Sequence, residues 1–69
     1  MYCIYVNNKL IATKDDLANA LKSYERLVKY FALLKKNYIR MNISMEEKTI
    51  QLINIVTDYV VQQETISNL

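Results

Sequence analysis

The stretch SMEEKTIQLINIVTDYVVQQ, residues 44–63, decides the fold. Glu47, Gln51, Asn54, Asp58 and Gln62 recur at spacings of three and four and share one narrow face of a helix, which a simple strand would not produce. Ser44-Met-Glu-Glu47 adds a capping box, in which a serine hydroxyl and a glutamate three residues later satisfy each other's backbone N–H groups. The β-branched content lowers intrinsic helix propensity. The spacing nevertheless predicts a helix over residues 45–63, apolar on Met45, Leu52, Ile53, Ile55, Val56, Tyr59 and Val60. A helix this apolar is expected to be buried on more than one side. Residues 64–69 read as a frayed tail.

Upstream, residues 15–38 read DDLANALKSYERLVKYFALLKKNY. At 100° per residue, Ala20, Tyr24, Leu27, Phe31, Leu34 and Tyr38 fall on one side, widened by Leu17, Leu21 and Val28. Lys22, Arg26, Lys29 and Lys36 line the opposite side, interrupted by Leu33. Thr13 is the expected N-cap, with Asp16 at the capping-box spacing and both Asp15 and Asp16 in the first turn. Lys35 and Lys36 suit a helix C-terminus and Asn37 a left-handed residue after it, so the helix is expected over residues 14–36. In residues 38–43, Ile39, Met41 and Ile43 alternate with Arg40 and Asn42. That alternation favours an extended connector or third strand over continuation of the helix to Arg40.

The N-terminal residues YCIYV and KLIAT flank Asn7-Asn8, two residues that tolerate positive φ, which predicts a hairpin over residues 2–13. In a regular register Val6 opposes Lys9, Ile4 opposes Ile11 and Tyr2 opposes Thr13, with Tyr5 against Leu10 and Cys3 against Ala12 on the other face. Both faces are largely apolar, and an isolated hairpin is not stable in water. The expected fold is therefore one small α+β domain, mostly helical, with a hairpin, a long amphipathic helix, a connector and a second amphipathic helix.

Composition narrows the chemistry. The 69 residues contain no histidine, glycine or proline and a single cysteine. Histidine-dependent nucleophilic catalysis and the usual zinc sites are thereby excluded, as are glycine-rich phosphate loops and an intrachain disulfide. The acidic pairs Asp15-Asp16 and Glu46-Glu47 are explained by helix first turns. No catalytic, cofactor-binding or metal-binding residue is expected, nor an enzymatic activity. There is no basic leader and no apolar run of the roughly 20 residues a membrane span needs, which leads us to expect a cytoplasmic protein with no membrane partner. Cys3 is expected to be a reduced, buried small hydrophobe.

At this size a single core is a marginal source of stability, and 52% of the residues are apolar. Burial against a second copy is the natural supplement. Residues 14–40 carry seven basic and three acidic side chains, +4, whereas residues 44–69 carry one basic and four acidic, −3. Such segregation favours packing of one segment on the other, within or between chains. Tyr24, Leu27, Phe31, Leu34, Leu52, Val56 and Tyr59 are the expected oligomer core. The resulting expectation is a homodimeric regulator or inhibitor that acts by binding another protein, for which the Asn-, Ile-, Lys- and Tyr-rich composition suits a phage or plasmid accessory protein. The alternative is a nucleic-acid-binding protein that places Lys22, Arg26, Lys29 and Lys36 on phosphates, with Tyr30 as a stacking residue.

Overall fold

The computed structural model describes residues 1–67 and contains β1 (Tyr2–Val6), β2 (Lys9–Lys14), α1 (Leu17–Arg40), β3 (Lys48–Asn54) and β4 (Tyr59–Ile66). The strands form one antiparallel sheet in the order β2-β1-β3-β4, and α1 packs on one of its faces. Since β2 and β3 are both antiparallel to β1, they run parallel to each other on either side of it. The chain must therefore return the full length of the sheet between them. The 24-residue helix, about 36 Å at 1.5 Å per residue, makes that return.

The chain is thus not mostly helical and does not form a helical bundle. Residues 45–63, expected as a second helix, form most of the β3–β4 hairpin. Their β-branched side chains are at ease on a pleated surface, where Ile50 and Leu52 become fully buried against α1. The polar residues that mimicked a helical period have separate roles. Gln51 pairs with Gln63 across the strands at 3.0 Å, Asn54 accepts the Val56 N–H at 3.0 Å within the turn, and Asp58 adopts the left-handed conformation that closes it (φ 58°). The tail is also ordered to the end of β4, where Ile66 is buried; Leu69 and Asn68 lie outside the described residues.

The capping-box residues are not helical either, because the first hairpin holds them. Asn7 and Asn8 adopt φ of 50° and 67°, the primed-turn conformation expected of them. The Asn7 amide donates to the Glu47 carbonyl at 3.1 Å and to Glu46 Oε1 at 3.3 Å, while its Oδ1 accepts the Thr49 N–H at 2.9 Å. Its backbone N–H also donates to the Thr49 carbonyl at 2.9 Å. One turn residue therefore anchors the segment that enters β3. Glu46 lies 3.5 Å from Lys48, an exposed pair of small energetic weight.

The helix is shifted by several residues from its expected bounds. Thr13 does not cap it, because Thr13 and Lys14 remain in β2 opposite Cys3 and Tyr2; Asp16 is the N-cap and accepts the Asn19 N–H at 2.8 Å. At the other end the chain stays helical through Arg40, so residues 38–43 contain no strand. Asn42, not Asn37, takes the left-handed position (φ 59°). The Ile43 N–H reaches the Tyr38 carbonyl at 2.9 Å and the Asn42 N–H the Ile39 carbonyl at 3.0 Å, the double closure of a Schellman end. Continuing the helix adds Tyr38 to the apolar side already formed by Ala20, Tyr24, Leu27, Phe31 and Leu34.

Each hairpin carries a bulge. The β1–β2 register skips Ile11, so that Ile4 faces Ala12 and Tyr2 faces Lys14; the β3–β4 register skips Val61, so that Leu52 faces Gln62. A bulge admits an extra residue without reversing the rest of the strand. Here the additions flank the row Ala12–Ile4–Leu52–Gln62 and direct Ile11 and Val61 toward the helix side. The regular register expected for residues 2–13 therefore holds only next to the turn, at Val6–Lys9 and Tyr5–Leu10. Leu52→Ala should cost about 2–5 kcal/mol in urea denaturation, as a fully buried leucine does. Val56→Asp, at an 80% exposed turn position, should change stability by no more than about 0.5 kcal/mol.

Candidate interaction surfaces

The strand registers sort the paired strand side chains onto one of two faces. Rows through Lys14–Tyr2–Asn54, Ala12–Ile4–Leu52–Gln62, Lys9–Val6–Ile50–Glu64 and Lys48–Ile66 lie on the helix side. Lys48 sits 5.9 Å from the centre of the Phe31 ring, and Glu64 lines one groove with Tyr24 of α1, as that placement requires. The opposite face has the rows Thr13–Cys3–Ile53–Val60, Leu10–Tyr5–Gln51–Gln63 and Thr49–Thr65. Three side-chain contacts run along it: Cys3 Sγ to Thr13 Oγ1 at 3.8 Å, Gln51 to Gln63 at 3.0 Å and Thr49 to Thr65 at 3.3 Å.

Among the described residues this second face carries no charged side chain, and no helix covers it. All four charged residues whose register partners place them in the sheet rows, Lys9, Lys14, Lys48 and Glu64, point to the helix side. A solvated sheet face ordinarily alternates polar and charged residues against the buried ones. Here Leu10 is 52% and Val60 41% exposed, with half-buried Tyr5 and Ile53 between them. Cys3, a free thiol, is buried in the same layer. The sequence contains the signal, an uncharged set at Thr49, Gln51 and Ile53 and again at Val60, Gln63 and Thr65. It emerges only when residues are taken two apart, with one step of three across the bulge at Val61, a pattern that the helical reading of residues 45–63 hides.

The outer side of α1 is the second surface. Lys22, Arg26, Lys29 and Lys36 are all exposed, together with Tyr30 and Leu33. None of the four forms an ion pair among the described residues, where Glu46–Lys48 is the pair observed. The stripe is bordered by two shallow grooves. One, lined by Ile11, Ala12, Arg26, Leu27 and Tyr30, separates α1 from β2; the other, lined by Tyr24, Val28, Lys29, Gln62 and Glu64, separates it from β4. Arg26 and Lys29 thus stand over opposite edges of the sheet.

The expected oligomer core is divided. Tyr24 and Leu52 are buried, and Leu27, Phe31 and Leu34 half-buried, in the core that the chain forms by itself. Val56 and Tyr59 lie apart from them at the β3–β4 turn, 80% and 66% exposed, because that segment is a hairpin tip and not a helix. Among the described residues no three His, Cys, Asp or Glu side chains converge as a metal site, and no helix is long and apolar enough to cross a membrane.

Tyr24 is the residue whose ionisation the fold perturbs. Its hydroxyl donates to the Ile50 carbonyl at 3.4 Å, and burial first, then the charge of Glu64, push its phenol above the ordinary value. The native state therefore holds this proton more tightly than the unfolded chain does, a contribution complete below about pH 10 and lost as the pH rises through the raised native value. In urea denaturation at increasing pH, the wild-type protein should lose stability relative to Tyr24→Phe above about pH 10. No family model, curated protein or solved structure matches this chain.

Proposed function

We propose that this chain is a small non-enzymatic protein-interaction module, a homodimeric regulator or inhibitor that acts by binding another protein. The observation that carries this reading is the distribution of apolar surface. Eight apolar side chains are buried among the described residues, whereas thirteen large ones are exposed. Single exposed apolar residues are ordinary on soluble proteins, but contiguous ones mark surfaces that meet a partner. The uncovered sheet face supplies such a surface for self-association. The outer side of α1 supplies another for a target, since Tyr30 and Leu33 stand among Lys22, Arg26, Lys29 and Lys36 and together suit an acidic, partly apolar protein surface.

Sedimentation velocity over a range of concentrations tests the first half, with a dimer expected. A monomer throughout, up to about millimolar concentration, the affinity floor of any useful association, would overturn it.

The second reading is a nucleic-acid-binding protein. Four exposed basic side chains without an ion pair among the described residues favour it, and Leu33 in the middle of the stripe opposes it, because phosphates offer an apolar side chain nothing. In that case Lys22→Glu, Arg26→Glu and Lys29→Glu together should abolish a salt-sensitive mobility shift while the oligomeric state stays unchanged. The protein-binding reading predicts no shift even at low salt, and a target captured from the native host that persists after nuclease treatment.

A further inference from the structure

We infer that the uncovered sheet face is a homodimer interface on which a second copy stacks its own identical face, giving a two-sheet sandwich with a helix on each outer side. The inference rests on the self-associating reading above and names the surface and the occupant. Its elements are the two rows Thr13–Cys3–Ile53–Val60 and Leu10–Tyr5–Gln51–Gln63, with Thr49 and Thr65 at one end.

Charge selects the occupant. A two-fold interface brings each residue near copies of its own kind, so any net charge on the patch repels itself. This face has none, although 16 of the 69 residues are charged. The other broad surface, the outer side of α1, carries Lys22, Arg26, Lys29 and Lys36 and would repel its copy. An acidic protein or a nucleic acid would in turn find no counter-charge on the sheet face. Depletion of charge with retention of tyrosine and aliphatic residues is also the composition of an interface centre.

The dimensions agree. Four strands at about 4.8 Å spacing and six residues at about 3.4 Å span roughly 400 Å² in projection. Two corrugated faces then bury on the order of 1,000 Å² or more of accessible surface, the level at which specific interfaces begin. Sheets stack about 10 Å apart with strands near parallel, so Leu10, Tyr5, Ile53 and Val60 fill the layer between them. Gln51 and Gln63 already satisfy part of each other's hydrogen-bonding demand at 3.0 Å, as do Thr49 and Thr65 at 3.3 Å, which lowers the cost of taking these polar groups out of water.

Three single substitutions at exposed positions of the face, Val60→Lys, Leu10→Lys and Gln63→Lys, test the proposal, with Leu33→Lys on the outer side of α1 as control. Folding is verified by circular dichroism and the dimer dissociation constant is measured by sedimentation. Each face variant that folds should weaken the dimer at least tenfold, and the control should shift it less than twofold. A wild-type dimer that the folded face variants leave intact would overturn the sheet-face assignment while preserving self-association. A wild-type monomer at every concentration would remove both, and would leave the face to a different partner protein or a lipid surface.

Discussion

A sheet has two faces, and the described chain supplies one helix to cover them. The core follows from that constraint. Ile4, Ile50, Leu52 and Ile66 face Ala20 and Tyr24 and are buried. Their neighbours on the reverse side, Tyr5, Ile53 and Val60, point away from any other layer. Two layers are the minimum for a packed domain, and the described residues form only that minimum. Its stability rests on one face of the sheet, and its surface properties are set largely by the other.

The placement of α1 depends in turn on the link between the hairpins. Pairing of β1 with β3 in the middle of the sheet requires the chain to leave β2 at one end and re-enter β3 beside β1. Asn7 fixes the point of re-entry. Its backbone supports the hairpin turn, and its side chain holds Glu47 and Thr49 through polar atoms that only asparagine presents in this arrangement among residues that tolerate positive φ. The bulges at Ile11 and Val61 then place additional apolar side chains on the helix side, one in each hairpin. Charge follows the same division: the strand lysines and Glu64 lie beside the helix, and the uncovered face is left neutral.

Local signals were legible where their chemistry was local. The Asn7-Asn8 turn, the two strands beside it, and the apolar side of α1 from Ala20 to Leu34 all follow from φ preferences and a 3.6-residue period. The helix ends were not, since Thr13, Asp16, Asn37 and Asn42 are each acceptable at a terminus. Pairing of Thr13 with Cys3 and the gain from packing Tyr38 choose among them. The candidate surfaces divide likewise: the basic stripe was visible in the sequence, whereas the neutral sheet face was hidden by a misleading polar period in residues 45–63.

By itself the sequence determined composition-level chemistry and short-range geometry: no histidine, no glycine loop, one long amphipathic helix and one asparagine turn. Tertiary structure alone decided that residues 48–54 and 59–66 are strands. Their polar residues at three- and four-residue spacings point to a helix, and what opposes that period is non-local. Ile50 and Leu52 gain their burial from Ile4, Ala20 and Tyr24, and the segment before them is held by Asn7, some 40 residues away in the chain. A local period cannot register contacts at that separation, and these contacts override it.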